Sequence, residues 1–215
     1  MKKGASIKKN EQRVKKVSIV CIGDSLTLGY QNPFLDPMSV EETPYTDILK
    51  EKLGDSAKIY NKGLCGELSR DILHRLERDV ISYQPDYVII LCGSNDLGWG
   101  FPPKEICKNL VAMYKVARAA GIEPVACTVP SILNGDDLLS PRKKLNSLIK
   151  EHAKKQRILC VDLFSALSHP KTKRLRDEFS SDGLHLSKEG YTVMGETIYK
   201  ELAPIIAKWR LRHAE

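Results

Sequence analysis

Five short apolar runs separated by helix-like segments constrain the fold more than any other feature of this sequence. They occupy residues 17–22, 58–61, 87–92, 124–128 and 158–162. Most are rich in β-branched residues and do not alternate between apolar and polar positions, which is typical of parallel strands covered on both faces. Strands that alternate with helices predict a single α/β domain with three layers.

Amphipathic segments lie between these runs. Apolar residues recur at helical spacing in residues 43–53, 69–83, 104–120, 141–155 and 187–210. Ser187 is expected to cap the last helix at its N-terminus, and Gly54 and Gly121 are expected to end earlier helices. The longer loops, 30–42, 97–103, 130–140 and 168–181, are expected to border one edge of the sheet.

The length and charge of the chain indicate one globular domain with a basic tail. The chain has 215 residues and a net charge of +7, and residues 1–16 contain seven Lys or Arg and one acid, Glu11. Residues 1–15 are therefore predicted to form a flexible basic tail, and residues 16–210 the folded domain. An alternative is an arm for nucleic acid or an anionic membrane, but the segment has neither interleaved aromatics nor an amphipathic stripe.

The cysteines and the hydropathy pattern favour a cytoplasmic protein with reduced thiols. Six cysteines are present without a CxxC pair, so a structural zinc site is not expected. No apolar run approaches the roughly 20 residues that a membrane span needs, and no apolar segment of a signal peptide follows the basic residues. We expect no membrane span and no nucleic-acid partner, and the oligomeric state stays open.

Four polar residues follow predicted strands or lie in the last long loop. Ser25 follows the first run, Asn95 follows the third, and Asp182 and His185 precede the last helix. In an open parallel sheet, the loops at the carboxyl ends of the strands share one edge, where ligands bind. A nucleophile, an amide donor, an acid and a base are thus expected to meet in one crevice, as in a serine hydrolase.

Each residue of this set has a chemical task in such a site. A serine hydroxyl needs a base to take its proton, and His185 lies three residues after Asp182, whose carboxylate can orient the imidazole. Of the other histidines, His169 is the one rival because it also lies in a loop. The Asn95 amide and the backbone N–H groups of Ser25 and Gly66 are the predicted donors to an oxyanion.

The motifs around these residues resemble those of the SGNH hydrolases, also called GDSL esterases and lipases. Gly23-Asp24-Ser25-Leu26-Thr27 resembles the first block of that family, and residues 61–67 resemble the second, with Gly66 as its glycine. Glu67-Leu68 stands where Asp-Thr is common in the family. Gly93-Ser94-Asn95-Asp96 resembles the third block, and Asp182-Gly183-Leu184-His185 the fifth.

The resemblance implies a flavodoxin-like α/β/α fold with five parallel strands in the order 2-1-3-4-5. It also implies a mechanism in which Ser25 attacks an ester carbonyl, His185 moves the proton and Asp182 orients His185. Ser25, Gly66 and Asn95 would bind the oxyanion, and no metal or organic cofactor would be needed. Asp24 and Asp96 are expected to support the loops rather than to react.

The substrate is predicted less closely than the chemistry. Apolar side chains in the bordering loops are candidates for an acyl pocket: Tyr30, Phe34, Leu97, Trp99, Phe101 and Leu133. A small-molecule ester with a small or medium acyl group is the expected substrate. Carbohydrate deacetylation and acyl transfer to an alcohol use the same triad and remain alternatives, and a catalytically silent binding module is a non-enzyme alternative.

Overall fold

A five-stranded parallel sheet forms the centre of the molecule in the computed structural model, which describes residues 16–31 and 41–213. The sheet consists of β1 (Val17–Gly23), β4 (Ala57–Gly63), β5 (Tyr87–Leu91), β6 (Glu123–Cys127) and β7 (Leu159–Val161). Their spatial order is β4-β1-β5-β6-β7, with all neighbours parallel. The predicted order 2-1-3-4-5 and the α/β/α architecture are therefore confirmed. The predicted tail, residues 1–15, lies outside the described residues.

The two ends of the first long loop pair with each other as a short hairpin, which was not predicted. Strands β2 (Tyr30–Gln31) and β3 (Glu41–Glu42) pair antiparallel. They are too short to show a sequence period, so the pattern of residues 30–42 predicted only a loop.

Helices cover both faces of the sheet. They are α1 (Ser25–Leu28), α2 (Tyr45–Leu53), α3 (Ser69–His74), α4 (Leu76–Asp79), α5 (Ser94–Gly98), α6 (Pro103–Ala119), α7 (Leu139–Gln156), α8 (Leu163–Leu167) and α9 (Lys188–Arg212). Ser187 caps α9 as predicted, since its side chain accepts a hydrogen bond from the Gly190 N–H. Helices α5 and α8 are too short for a periodic pattern and were not predicted.

The prediction of one continuous helix over residues 69–83 is wrong, because the helix is interrupted at Arg75. The backbone at Arg75 has φ −93° and ψ 3°, which ends α3 and starts α4, and residues 81–83 form a separate 3-10 turn. Ile72, Leu76 and Val80 nevertheless all remain buried on the same side. The apolar period therefore continues through the break, which explains why the sequence pattern does not show it.

Side chains of each central strand alternate between two apolar layers. Val17, Ile19 and Cys21 of β1 belong to the layer that α2, α8 and α9 cover, whereas Val20 and Ile22 belong to the layer under α3, α4, α6 and α7. Burial of both faces accounts for the lack of polar alternation in the sequence. All six cysteines are free, and Cys21, Cys92 and Cys127 are buried.

Within the described residues, none of the helices combines the length and apolar character needed to cross a membrane.

Close packing at the ends of β1 and β4 depends on two glycines. Gly23 and Gly63 lie opposite each other in the sheet, and the first turn of α1 lies over them. A Cβ atom on Gly63 would lie 2.1 Å from the Leu28 backbone nitrogen. The backbone of α1 is thereby held against the end of the neighbouring strand.

Replacing Gly63 by Ala is expected to lower the free energy of unfolding by about 1–3 kcal/mol, because the clash is with backbone rather than with a flexible side chain. Urea unfolding of Gly63→Ala and Gly98→Ala tests this. Gly98 lies in α5 with open space at its Cβ position, so its replacement is expected to cause no loss. Equal stability of the two variants would contradict the packing argument.

Candidate active site

Ser25 lies at the start of α1, directly after β1. The residue is only 6% exposed, and its backbone N–H stands at the first helical position, where an N–H has no intrahelical partner. Asp24 caps this turn, because its Oδ1 accepts a hydrogen bond from the Leu26 N–H at 3.0 Å. The strand end and the cap together fix the direction of the Ser25 hydroxyl.

Ser25, His185 and Asp182 form a continuous chain of hydrogen-bonding groups. The Ser25 Oγ lies 3.0 Å from His185 Nε2, and His185 Nδ1 lies 2.6 Å from Asp182 Oδ2. A carboxylate can only accept, so His185 Nδ1 carries a proton and Nε2 of the neutral ring is the acceptor for the Ser25 hydroxyl. The arrangement can remove a proton from Ser25 as its oxygen attacks a carbonyl carbon.

The turn around Gly183 brings the acid and the base together. Asp182 Oδ1 accepts hydrogen bonds from the backbone N–H groups of Leu184 and His185 at 2.9 and 2.6 Å. Burial would raise the pKa of Asp182, but the hydrogen bonds from the His185 side chain and from these N–H groups outweigh it and lower the pKa below its ordinary value. Asp182 therefore stays ionised and keeps His185 in the useful tautomer.

Asn95 is held at the start of α5 by one of its own amide hydrogens. Its Nδ2 donates to the Glu67 carbonyl at 2.9 Å. An amide nitrogen has two hydrogens, so one remains for an oxyanion. Gly66, next to Glu67, is exposed and has a positive φ of 77°, a conformation that glycine adopts at little cost.

Asp24 and Asp96 lie beneath these groups. Asp96 accepts from the Ser69 N–H at 2.9 Å and from its hydroxyl at 2.6 Å, which ties α5 to the start of α3. Burial raises the pKa of Asp24 to about 6, and its Oδ2 has no hydrogen-bond partner among the described residues. The hydrogen bonds of Asp24 and Asp96 thus hold the turn at Ser25 and the start of α3 in place.

Arg75 is a residue of this region that the sequence did not reveal. Its Nη2 donates to the Gly23 and Lys62 carbonyls, both at 2.9 Å, at the ends of β1 and β4. Its Nε and Nη1 donate to Glu67 at 2.6 Å and Asp79 at 2.9 Å. The side chain is buried, so this one cation connects the turn before Ser25 with the segment that holds Asn95.

A cavity of about 490 Å³ opens beside the triad. Asn95 and Asp182 line one part of it, and the remaining walls are formed by Ser94, Gly98, Trp99, Ile132, Asn134, Leu138, Arg142, Gly183 and Leu184. Of the five described residues among those proposed for an acyl pocket, Trp99 alone lines this cavity, and it is 78% exposed.

The other pocket candidates lie elsewhere. Tyr30 packs edge-to-face against His185, with ring centroids 4.6 Å apart. Leu97 is buried in the core because α5 turns it inward, and Phe101 and Leu133 pack against the two core layers. Phe34 lies outside the described residues. Leu97, Phe101 and Leu133 thus do not line the cavity beside Asn95, whereas Ile132, Leu138 and Leu184, which the sequence did not suggest, do.

The rival base, His169, lies away from Ser25. Its Nδ1 faces the backbone N–H groups of Lys171 and Thr172 in its own loop, and it borders a different cavity. In the described part of the chain, no three His, Cys, Asp or Glu side chains are grouped as metal ligands would be.

Known proteins are similar to this chain over most of its length. Residues 21–193 match the model of the GDSL-like Lipase/Acylhydrolase family. An arylesterase of Vibrio mimicus is 28% identical over 187 residues, covering 86% of this chain and 87% of the relative. An acetylxylan esterase of Geobacillus stearothermophilus is 24% identical over 157 residues, which cover 67% of this chain and 72% of the relative.

A solved structure shows the same fold. The lipase/acylhydrolase from Enterococcus faecalis superposes with a TM-score of 0.69 at 28% identity, over 86% of this chain and 95% of that chain.

Replacing Arg75 by Met is expected to lower the free energy of unfolding by about 3 kcal/mol, because Glu67 and Asp79 would lose their shared buried partner. Arg78→Met is the matched control, since Arg78 also binds Asp79 but is 72% exposed. Urea unfolding should show no measurable loss for that control. Equal losses in the two variants would contradict a special role of Arg75.

Proposed function

Because the chain belongs to the GDSL-like lipase/acylhydrolase family, whose members are ester hydrolases, we propose that it hydrolyses esters of small or medium acyl groups through an acyl-serine intermediate. The observation that carries the proposal is the spacing of the triad, with 3.0 Å between Ser25 Oγ and His185 Nε2 and 2.6 Å between His185 Nδ1 and Asp182. These are hydrogen-bond distances, so proton transfer needs no prior movement of either side chain.

In the first half of the reaction, the Ser25 oxygen bonds to the carbonyl carbon of the ester while His185 Nε2 takes the hydroxyl proton. Negative charge then develops on the carbonyl oxygen, where the Asn95 amide and the N–H groups of Ser25 and Gly66 bind it. Collapse of this intermediate breaks the bond to the alcohol, which leaves with the proton from His185. The product that stays behind is an ester of Ser25.

In the second half, His185 takes a proton from water, and the hydroxide oxygen bonds to the acyl carbon. The bond to Ser25 breaks, Ser25 recovers its proton from His185, and the carboxylic acid leaves. Asp182 remains ionised throughout and stabilises the protonated imidazole. An alcohol in place of water would give acyl transfer with the same residues.

The cavity beside Asn95 supports a substrate of limited size. Its volume, about 490 Å³, is within the range of small-molecule sites, and Ile132, Leu138 and Leu184 give it apolar walls. A short or medium acyl or alcohol group can be buried there, with the ester carbonyl at Asn95.

Sugar deacetylation is the second candidate, and the similarity to the acetylxylan esterase supports it. An acetyl group would leave most of the cavity for the sugar. A panel that includes acetylated xylose next to simple esters distinguishes the two. Activity confined to the sugar acetate would favour the second candidate.

Ser25→Ala is expected to reduce kcat by at least about 1,000-fold without loss of folding, because the nucleophile is removed and its neighbours are retained. A series of p-nitrophenyl esters from acetate to palmitate, run on both proteins, provides the measurement, and circular dichroism the folding control. Retained turnover in the variant would exclude Ser25 as the nucleophile. Absence of turnover in both proteins, on these esters and the sugar acetate, would favour a binding module.

Asn95→Ala is expected to lower kcat by about 100-fold or more with a modest change in KM, because an oxyanion donor acts mainly in the transition state. Asn109→Ala serves as the control, since Asn109 donates to Ser69 at 2.9 Å rather than to the proposed site. An effect of Asn95→Ala on KM alone would remove Asn95 from the oxyanion hole.

A further inference from the structure

One wall of the cavity beside Asn95 carries a buried cation. Arg142 lies in the first turns of α7 and is 1% exposed, although the two residues that follow it, Lys143 and Lys144, are exposed. It lines the same cavity as Asn95 and Asp182. The positive charge is therefore located next to the proposed oxyanion hole.

The guanidinium group of Arg142 uses only part of its donor capacity. Its Nη1 donates to the Pro130 carbonyl at 2.8 Å and to the Ser94 hydroxyl at 3.2 Å. Neither Nε nor Nη2 donates to a described residue, and Nε is buried. Arginine has five N–H donors in a planar fork, so three of them have no partner among residues 16–31 and 41–213.

The guanidinium of Arg142 also lacks a hydrogen-bonded anion in the described part of the chain. Burial lowers the pKa of Arg142 to about 10, and the charge of Asp24 acts in the opposite direction. Arg142 thus remains protonated at neutral pH, yet it donates no hydrogen bond to a carboxylate within the described part of the chain. Asp182, the carboxylate on the cavity wall, already accepts three hydrogen bonds from His185 and Leu184.

A purely structural role does not account for these observations. Joining the Pro130 carbonyl to the Ser94 hydroxyl requires one neutral donor group, whereas a buried guanidinium without a contacting anion is costly. The same group becomes favourable when a ligand brings a carboxylate, because the fork of an arginine matches the two oxygens.

We propose that Arg142 binds a carboxylate of the ester substrate, so that the site prefers esters that carry a carboxylate a few bonds from the scissile carbonyl. This inference rests on the proposed ester hydrolysis. Ile132, Leu138 and Leu184 would contact the aliphatic part between the two groups. The carboxylate can belong to the acyl side or to the alcohol side of the ester, and both arrangements place it in the cavity.

Two pairs of isosteric esters test the preference in the wild-type protein. Methyl hydrogen succinate is compared with methyl 4-methylpentanoate, which tests the acyl side, and acetoxyacetate with isobutyl acetate, which tests the alcohol side. In each pair an isopropyl group replaces the carboxylate. We expect kcat/KM, measured by pH-stat titration, to be about tenfold or more higher for the charged member of at least one pair. Preference for the neutral member in both pairs would overturn the proposal.

Variants at α7 test whether Arg142 is the cause. Arg142→Gln is expected to reduce the charged-to-neutral ratio of kcat/KM about tenfold or more, and Arg142→Lys to retain part of it because the charge is kept. Lys143→Gln removes a charge from the same helix at an exposed position, so its ratio should equal that of the wild type. An unchanged ratio in Arg142→Gln, with folding verified by circular dichroism, would contradict the proposal.

A binding measurement separates this inference from the proposed hydrolysis. Isothermal titration of methyl hydrogen succinate into Ser25→Ala is expected to show binding that is lost in Ser25→Ala with Arg142→Gln. Such binding without turnover in the wild type would support the carboxylate site and contradict ester hydrolysis. Turnover of neutral esters without any effect of the Arg142→Gln substitution would support ester hydrolysis and contradict the carboxylate site.

Discussion

The hydrogen bonds of Arg75 determine how the parts of the candidate site fit together. A single buried guanidinium joins the carbonyl groups at the ends of β1 and β4 and pairs with Glu67 and Asp79. The backbone of Glu67 in turn holds the Asn95 amide. The turn that presents Ser25 and the amide that faces it are thus positioned relative to the same cation, and the sheet edge acts as one rigid support.

Two buried arginines near the site differ in their hydrogen-bond partners. Arg75 donates to two carboxylates and two carbonyls, so its charge is paired with anions and each of its three nitrogens has a partner within the protein. Among the residues that the structure describes, Arg142 donates only to a carbonyl and a hydroxyl. The first arrangement is typical of a structural clamp, whereas the second leaves a charged donor at the cavity wall for a ligand.

The strands and the polar residues of the triad could be predicted because their signals are local. An apolar run that ends in glycine gives both a strand and the turn after it, and Asp182 and His185 are three residues apart. The two arginines could not be predicted in the same way, since an arginine within a helical pattern is usually exposed and its burial depends on distant segments. Leu97 was placed wrongly for a related reason: the short helix α5 has no readable period, and it turns this side chain into the core.

The distance along the chain between Ser25 and His185 has a consequence for synthesis. Ser25 belongs to the first strand-to-helix turn, but His185 precedes α9, which packs on α2 and whose Tyr191 hydroxyl donates to the Tyr30 carbonyl at 2.8 Å. A ribosome releases the chain from its N-terminus, so Ser25 emerges long before the imidazole that activates it. In the proposed mechanism a nascent chain therefore carries an inert serine, and ester cleavage begins only when α9 has packed against α2.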